Sequence, residues 1–189
     1  MTEPQSLTGR LLIAAPTLQD PNFRRTVVLV CAHSPEGALG LVLNRPSPIL
    51  AIDTVPELVD ALGGAGARLW VGGPVQPADV VLLAEFDEPG DALIVAGDLG
   101  LVTDGEPLER VGDRTRRLRA YIGHSGWGPG QLERELERED WIIAPLSAGD
   151  PFAEDAENLW RTALEALGAL YALVARMPED PSLNSRGAA

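Results

Sequence analysis

Apolar residues in this chain come in short blocks separated by glycine and proline, a pattern of strands rather than of long helices. Leu11 to Ala15, closed by Pro16, predicts a buried strand. Thr26 to His33 predicts a second, with Val27, Leu29 and Cys31 on one face and Val28, Val30 and Ala32 on the other. A strand apolar on both faces belongs at the centre of a sheet covered on both sides. Ser34-Pro35-Glu36-Gly37 is a turn and Leu39 to Leu43 another apolar strand, so the two read as an antiparallel hairpin. Asn44-Arg45-Pro46-Ser47-Pro48 then breaks the chain, and Val55 to Leu62 predicts a short helix ended by Gly63-Gly64.

Leu69 to Val71 is a strand running into Gly72-Gly73-Pro74; Val80 to Ala84, Leu93 to Val95 and Leu99 to Thr103 are further strands. Arg117 to Ile122 alternates, with Leu118, Ala120 and Ile122 facing one way and Arg117, Arg119 and Tyr121 the other, which predicts one buried and one solvated face. Pro129 suits the first turn of a helix reaching about Glu139, with Leu132 and Leu136 as its apolar stripe. Trp141 to Ala144 is a strand. The acidic residues Asp150, Glu154, Asp155 and Glu157 introduce a last helix that buries Trp160, Ala163, Leu164 and Leu167. Many short strands with a few unevenly placed helices indicate an α+β fold rather than regular βαβ winding. The expected organisation is a flexible N-terminus (1–6), one domain (7–176) and a loose C-terminal tail (177–189).

Composition narrows the chemistry. All 15 basic residues are arginine, so Schiff-base, phosphate-loop and general-base lysines are excluded. The abundance of Ala, Gly and Pro beside arginine fits the codon usage of a GC-rich genome. A net charge of −13 argues against direct nucleic-acid binding, which needs cations to neutralise several phosphates. Arg110, Arg114, Arg116, Arg117 and Arg119 form the one basic cluster, with no helix-turn-helix or zinc finger beside it. No apolar run reaches the length of a membrane span, and Met1 to Leu7 lacks the pattern of a secretory signal. The single cysteine, Cys31, precludes an internal disulfide, and a reducing cytoplasm is the expected location.

Three turns are candidate binding elements. Asn44-Arg45-Pro46 could present an anion-binding fork or simply close a turn, with Arg45 paired to a carboxylate. Gly72 and Gly73 could aim backbone amides at a ligand or only permit a tight turn. Trp127, Gly128, Gly130 and Gln131 lie in a glycine-rich stretch that either holds a ligand or plugs the core. No metal site is expected, because His33, His124 and Cys31 match no zinc spacing. No cofactor and no catalytic residue is expected either. His124 and Ser125 point to opposite faces of an extended chain, and the sequence around them is not a nucleophile elbow.

Several segments occur together in the order of a known family: Leu12-Ile13-Ala14 with Pro16, Asp20-Pro21-Asn22-Phe23, Gly37-Ala38-Leu39-Gly40, Leu43-Asn44-Arg45-Pro46, Gly72-Gly73-Pro74-Val75 and Gly126-Trp127-Gly128-Pro129-Gly130-Gln131-Leu132-Glu133. On these residues the chain, from about Gly9 to Gly168, resembles the bacterial YqgE/AlgH family. The resemblance implies an α+β fold whose bent, mostly antiparallel sheet forms a partial barrel with a few flanking helices, in a bacterial cytosolic protein. Some members carry a transcriptional-regulator label, and no established reaction comes with the family. Gly123-His124 departs from the family's usual Gly-Tyr.

The expected function is non-enzymatic binding or regulation, with a small anionic ligand or a partner protein seated between the Asn44-Arg45, Gly72-Gly73-Pro74 and Trp127 turns. Any influence on transcription would then be indirect. The alternative is an enzyme of unknown reaction on an anionic metabolite, oriented by Arg45, with His33 carrying a proton.

Overall fold

A single ten-stranded sheet organises the protein. The structure, a computed structural model, describes residues 6–103, 105 and 107–178. Numbered along the chain, the strands are β1 (Leu11–Ala14), β2 (Val27–Ser34), β3 (Gly37–Val42), β4 (Pro46–Leu50), β5 (Arg68–Val71), β6 (Val75–Phe86), β7 (Leu93–Ala96), β8 (Leu99–Leu101), β9 (Thr115–Trp127) and β10 (Trp141–Ala144). Their spatial order is β10-β1-β2-β3-β9-β6-β8-β7, antiparallel at every step. The antiparallel β4–β5 hairpin joins through β5, which lies parallel to β9 with Trp70 opposite Tyr121 and Val71 opposite Ile122. Four short helices flank the sheet: α1 (Leu108–Val111), α2 (Gln131–Glu137), α3 (Ala156–Glu165) and α4 (Ala169–Val174).

The sheet curls because its strands share one interior. Leu11, Leu29, Leu41, Leu83, Val95, Leu99 and Tyr121 come from seven different strands and pack in one cluster, closed by Leu159, Trp160, Ala163 and Leu164 of α3. The ends β10 and β7 do not pair with each other, so the barrel stays partial. Burial of each such aliphatic side chain is worth about 1.5–3 kcal/mol, which makes this cluster the main source of stability. As its two apolar faces require, β2 is covered on both sides. Val27, Leu29 and Cys31 face the interior; Val28 and Val30 face a second cluster with Trp127, Leu132 and Trp141. A third cluster, including Leu58, Leu69, Val111 and Ala120, lies under the β4–β5 hairpin.

Tertiary contacts redirect several local expectations. Pro46 does not break the chain into a loop: it starts β4 opposite Trp70, on an outer hairpin where a missing N–H costs no ladder bond. Val55 to Leu62 shrinks to a 3₁₀ turn over Pro56–Leu58, with Gly63 and Gly64 at positive φ behind it. β6 and β9 both extend past their apolar cores, and β9 runs through Gly123 to Trp127. Pro129 does not open α2. Gly130 precedes the helix at φ 66°, and the helix ends at Glu137. The arginine face of β9 is solvated only at Arg117, whose side chain is 41% exposed: Arg119 is 7% exposed and Tyr121 fully buried, because Phe152 and α3 cover that part of the face. Beyond the expected last helix, Gly168 turns the chain into α4, which leaves Leu170 and Leu173 exposed.

The segments expected to be flexible fall mostly outside the described residues. Within them, the Ser6 hydroxyl donates to the His33 carbonyl at 3.1 Å, and the Met177 carbonyl accepts from Arg25. No described helix is long and apolar enough to cross a membrane.

Candidate functional site

The Asp20-Pro21-Asn22 loop and the start of β4 build one wall of a cavity of about 390 Å³. The loop is held by its own hydrogen bonds. The Asp20 carboxylate accepts from the Asn22 amide at 2.8 Å, and the Asp20 carbonyl accepts from the amides of Phe23 (3.0 Å) and Arg24 (2.7 Å). Asn44 stitches this loop to β3. Its Oδ1 accepts from the Val27 amide at 3.0 Å, and its Nδ2 donates to the Arg25 carbonyl at 2.9 Å. The Asn44 amide is therefore spent on the backbone, and only Arg45 of the expected fork faces the cavity.

Arg45 is partly buried and has no carboxylate partner among the described residues. Its Nη2 donates to the carbonyls of Arg24 (2.8 Å) and Pro21 (3.4 Å); Nε and Nη1 make no hydrogen bond with any described residue. Desolvation and the neighbouring Arg24 charge both hold its pKa below the ordinary arginine value. Arg24 itself is exposed, and its side chain makes no hydrogen bond or ion pair among the described residues. Two cations thus adjoin, and among the described residues neither forms an ion pair with a carboxylate, in a chain of charge −13. Asn22, Gly73 and Pro74 complete this end of the cavity.

Gly72 and Gly73 are shaped by strand packing. A Cβ on Gly72 would lie 2.3 Å from the Gly123 carbonyl oxygen, and one on Gly73 2.4 Å from the His124 carbonyl carbon. The Gly72 carbonyl accepts from the Val42 amide (2.9 Å) and the Ser125 hydroxyl (3.1 Å). These glycines let the β5 exit cross β9, which brings Gly73 to the cavity beside Arg45.

The third expected element lies apart and is satisfied from within. Trp127 Nε1 donates to Glu135 at 2.8 Å, Trp141 Nε1 to the same carboxylate at 2.9 Å, and Gln131 Nε2 to its other oxygen at 3.0 Å. The Gly128 amide donates to Gln131 Oε1 at 3.1 Å, and the Gln131 amide to the Gly128 carbonyl at 3.0 Å. Gly130 supplies the left-handed turn ahead of α2. Phe23, Trp127 and Trp141 pack ring against ring, with centroids 5.5–6.3 Å apart. Trp127 lines a separate cavity of about 460 Å³, with His33 and Leu93. The structure therefore joins Arg45 and Gly73 in one cavity and puts Trp127 on another.

Other candidate groups are committed to structure. His33 Nε2 bonds Glu133 at 2.8 Å, and its Nδ1 accepts from the Leu7 amide at 3.1 Å, so both ring nitrogens are occupied. The Ser125 hydroxyl turns inward to Gly72, away from His124. Burial pushes the Cys31 thiol up to about 12, which leaves it unreactive. Tyr121 is buried with its hydroxyl unpartnered, and burial raises its pKa against the partly opposing charge of Arg119. The basic cluster is matched by its surroundings. Arg116 pairs with Asp87 and Asp98, Arg117 with Glu85 and Asp150, and Arg119 stacks 3.8 Å over Trp70 while donating to the carbonyls of Pro151, Phe152 and Ala153. No cluster of three or more His, Cys, Asp or Glu side chains that could hold a metal occurs among the described residues.

A cavity of about 760 Å³ between β10 and α4 contains Arg138, which already pairs with Asp140. Sequence reasoning missed Arg24 and Asn22; the turn-rich Asp20-Pro21-Asn22 stretch was the available signal, but nothing local showed that it folds against Arg45.

Residues 11–172 match the family model described as DUF179, AlgH-like. UPF0301 proteins of Streptomyces avermitilis and Thermobifida fusca are 42% and 37% identical, over 97% and 95% of this chain and 98% and 96% of theirs. The crystal structure of protein DIP2367 from Corynebacterium diphtheriae superposes with a TM-score of 0.80 at 26% identity, covering 94% of this chain and 95% of that one. The solution structure of the AlgH protein from Pseudomonas aeruginosa gives 0.62 at 30% identity, covering 100% and 98%.

Proposed function

This chain belongs to the AlgH-like, UPF0301 family, and on that premise we propose that it is a non-enzymatic binding protein whose Arg45 cavity takes a small anionic ligand. One observation carries the reading. Arg45 is partly desolvated beside Arg24, lines the cavity, and among the described residues has no carboxylate partner and no hydrogen bond to Nε or Nη1. A bound anion would offset the repulsion between the two guanidiniums and use the unbonded donors. His33, the proton carrier of the enzymatic alternative, has both ring nitrogens hydrogen-bonded, and Cys31 is buried, which favours the binding reading. Regulation of transcription, on this reading, is indirect, through ligand-dependent contact with a partner protein in the bacterial cytoplasm.

The test is thermal unfolding with inorganic phosphate, sulfate and acetate at rising concentration. An anion at 100 times its Kd adds about 2.7 kcal/mol of stability. The expected result is a rise in midpoint that disappears in Arg45→Ala and persists in Arg68→Ala, an exposed arginine away from the cavity. No rise, or an equal rise in both variants, refutes the site.

A further inference from the structure

The walls of this cavity select among anions. Pro21, Pro46, Pro74 and Pro77 line it together with Val42 and Val71, so away from Arg45 and Asn22 the lining is aliphatic. Prolines also make the wall stiff, which suits a preformed pocket. No aromatic ring lines it. The tryptophans are used elsewhere: Trp70 under Arg119, Trp127 and Trp141 on Glu135, and Trp160 under Arg25 while donating to the Ala14 carbonyl at 2.8 Å. A nucleobase entering here would find no stacking platform and a single side-chain amide for its polar edge. An aliphatic body would exchange water for proline and valine surface.

The polar end is equally selective. Arg45 Nη2 is already bonded to two carbonyls, so the arginine offers Nε and Nη1, with Asn22 beside them and Arg24 adding charge. Nε–H and Nη1–H₂ point away from each other, because the edge that Nε shares is the Nη2 edge, so the arginine can give one head-group oxygen a single bond; that bond, with the Asn22 amide for the second oxygen, suits a carboxylate better than the three oxygens of a phosphate monoester. No acidic side chain lines the cavity to repel it. Resting on the anion site proposed above, we infer that the ligand is an aliphatic carboxylic acid, its head at Arg45 and its chain along the proline–valine wall.

The experiment titrates the protein with acetate, butyrate, hexanoate and octanoate, with octyl phosphate and AMP as comparisons. Amide and arginine Nε NMR signals report binding. The expected result is affinity rising roughly fourfold per added methylene, the equivalent of about 0.8 kcal/mol per buried CH₂, until the cavity is filled. Octanoate should exceed octyl phosphate and AMP, and the response should centre on Arg45. Val71→Ser, in a partly exposed wall residue, should flatten the dependence on chain length. Arg45-dependent binding with no chain-length dependence overturns this inference and leaves the anion site standing. Tighter binding of octyl phosphate or AMP does the same. Failure of every anion to move the Arg45 signal overturns both.

Discussion

Two turns face opposite fates in this molecule, the glycine-rich one at Trp127 and the polar, proline-flanked one at Arg45. Around Trp127 the side-chain donors meet acceptors of the same chain: Glu135 gathers two indoles and the Gln131 amide, and Gln131 takes the Gly128 amide. Around Arg45 the backbone is equally well tied down, yet a guanidinium is left beside another guanidinium with donors to spare. The first turn is a structural plug. The second has the unmet charge that a binding site needs. Their sequences look alike as candidates; what separates them is whether the fold brings an acceptor to each donor.

The largest effect that sharpens this contrast is steric. Gly73→Ala places a Cβ 2.4 Å from the β9 backbone, where neither strand can yield. A loss of about 3 kcal/mol or more is expected, read as poor refolding and a depressed urea midpoint. Near-normal stability would show that the β5 exit does not need this close approach.

Glu135→Ala should come next. It strands two buried indole donors and the Gln131 amide, each lost charge-assisted bond being worth about 1.5–3 kcal/mol before relaxation. Urea denaturation should show a total loss of about 2–4 kcal/mol, with anion affinity unchanged. A drop in anion affinity would break the distinction between the two turns.

Arg45→Ala should do the reverse. Its carbonyl bonds are worth about 1 kcal/mol, so stability falls slightly while anion affinity falls at least about tenfold. A large stability loss in urea with unchanged binding would make Arg45 a strut like Glu135.

The smallest effect concerns pH. The Glu133 carboxyl lies below its ordinary value, chiefly through the helix-start amide and then through His33. Its folded pKa is depressed, so its contribution is complete above the unfolded carboxylate range and fades as pH falls through the lower folded value. Stability should therefore decline below about pH 4.3, and Glu133→Gln should reduce that slope by a measurable but small amount, because the group is largely exposed. An unchanged slope in a pH series of urea midpoints would count against the His33–Glu133 contact.

Much of the fold was legible locally. The two apolar faces of Val27 to Ala32 demanded a central strand, and the Ser34-Pro35-Glu36-Gly37 turn demanded a hairpin, because burial and turn chemistry act over a few residues. Trp160, Ala163 and Leu164 announced the buried side of α3 by spacing alone. The alternation in β9 was visible too, but the covering of its arginine face was not: Phe152 and α3 arrive from about 30–45 residues downstream.

For the site the division is sharper. Sequence alone determined that the chain is acidic and lysine-free, that its anchoring cations are arginines, and that rigid turns stand at Arg45, Gly73 and Trp127. Only the tertiary structure decided which cation goes unpaired. Pairing depends on distance and solvent access: Glu135 sits under two indoles, Asp150 beside Arg117, and among the described residues no carboxylate pairs with Arg45 or Arg24, although the chain holds 28 acidic residues.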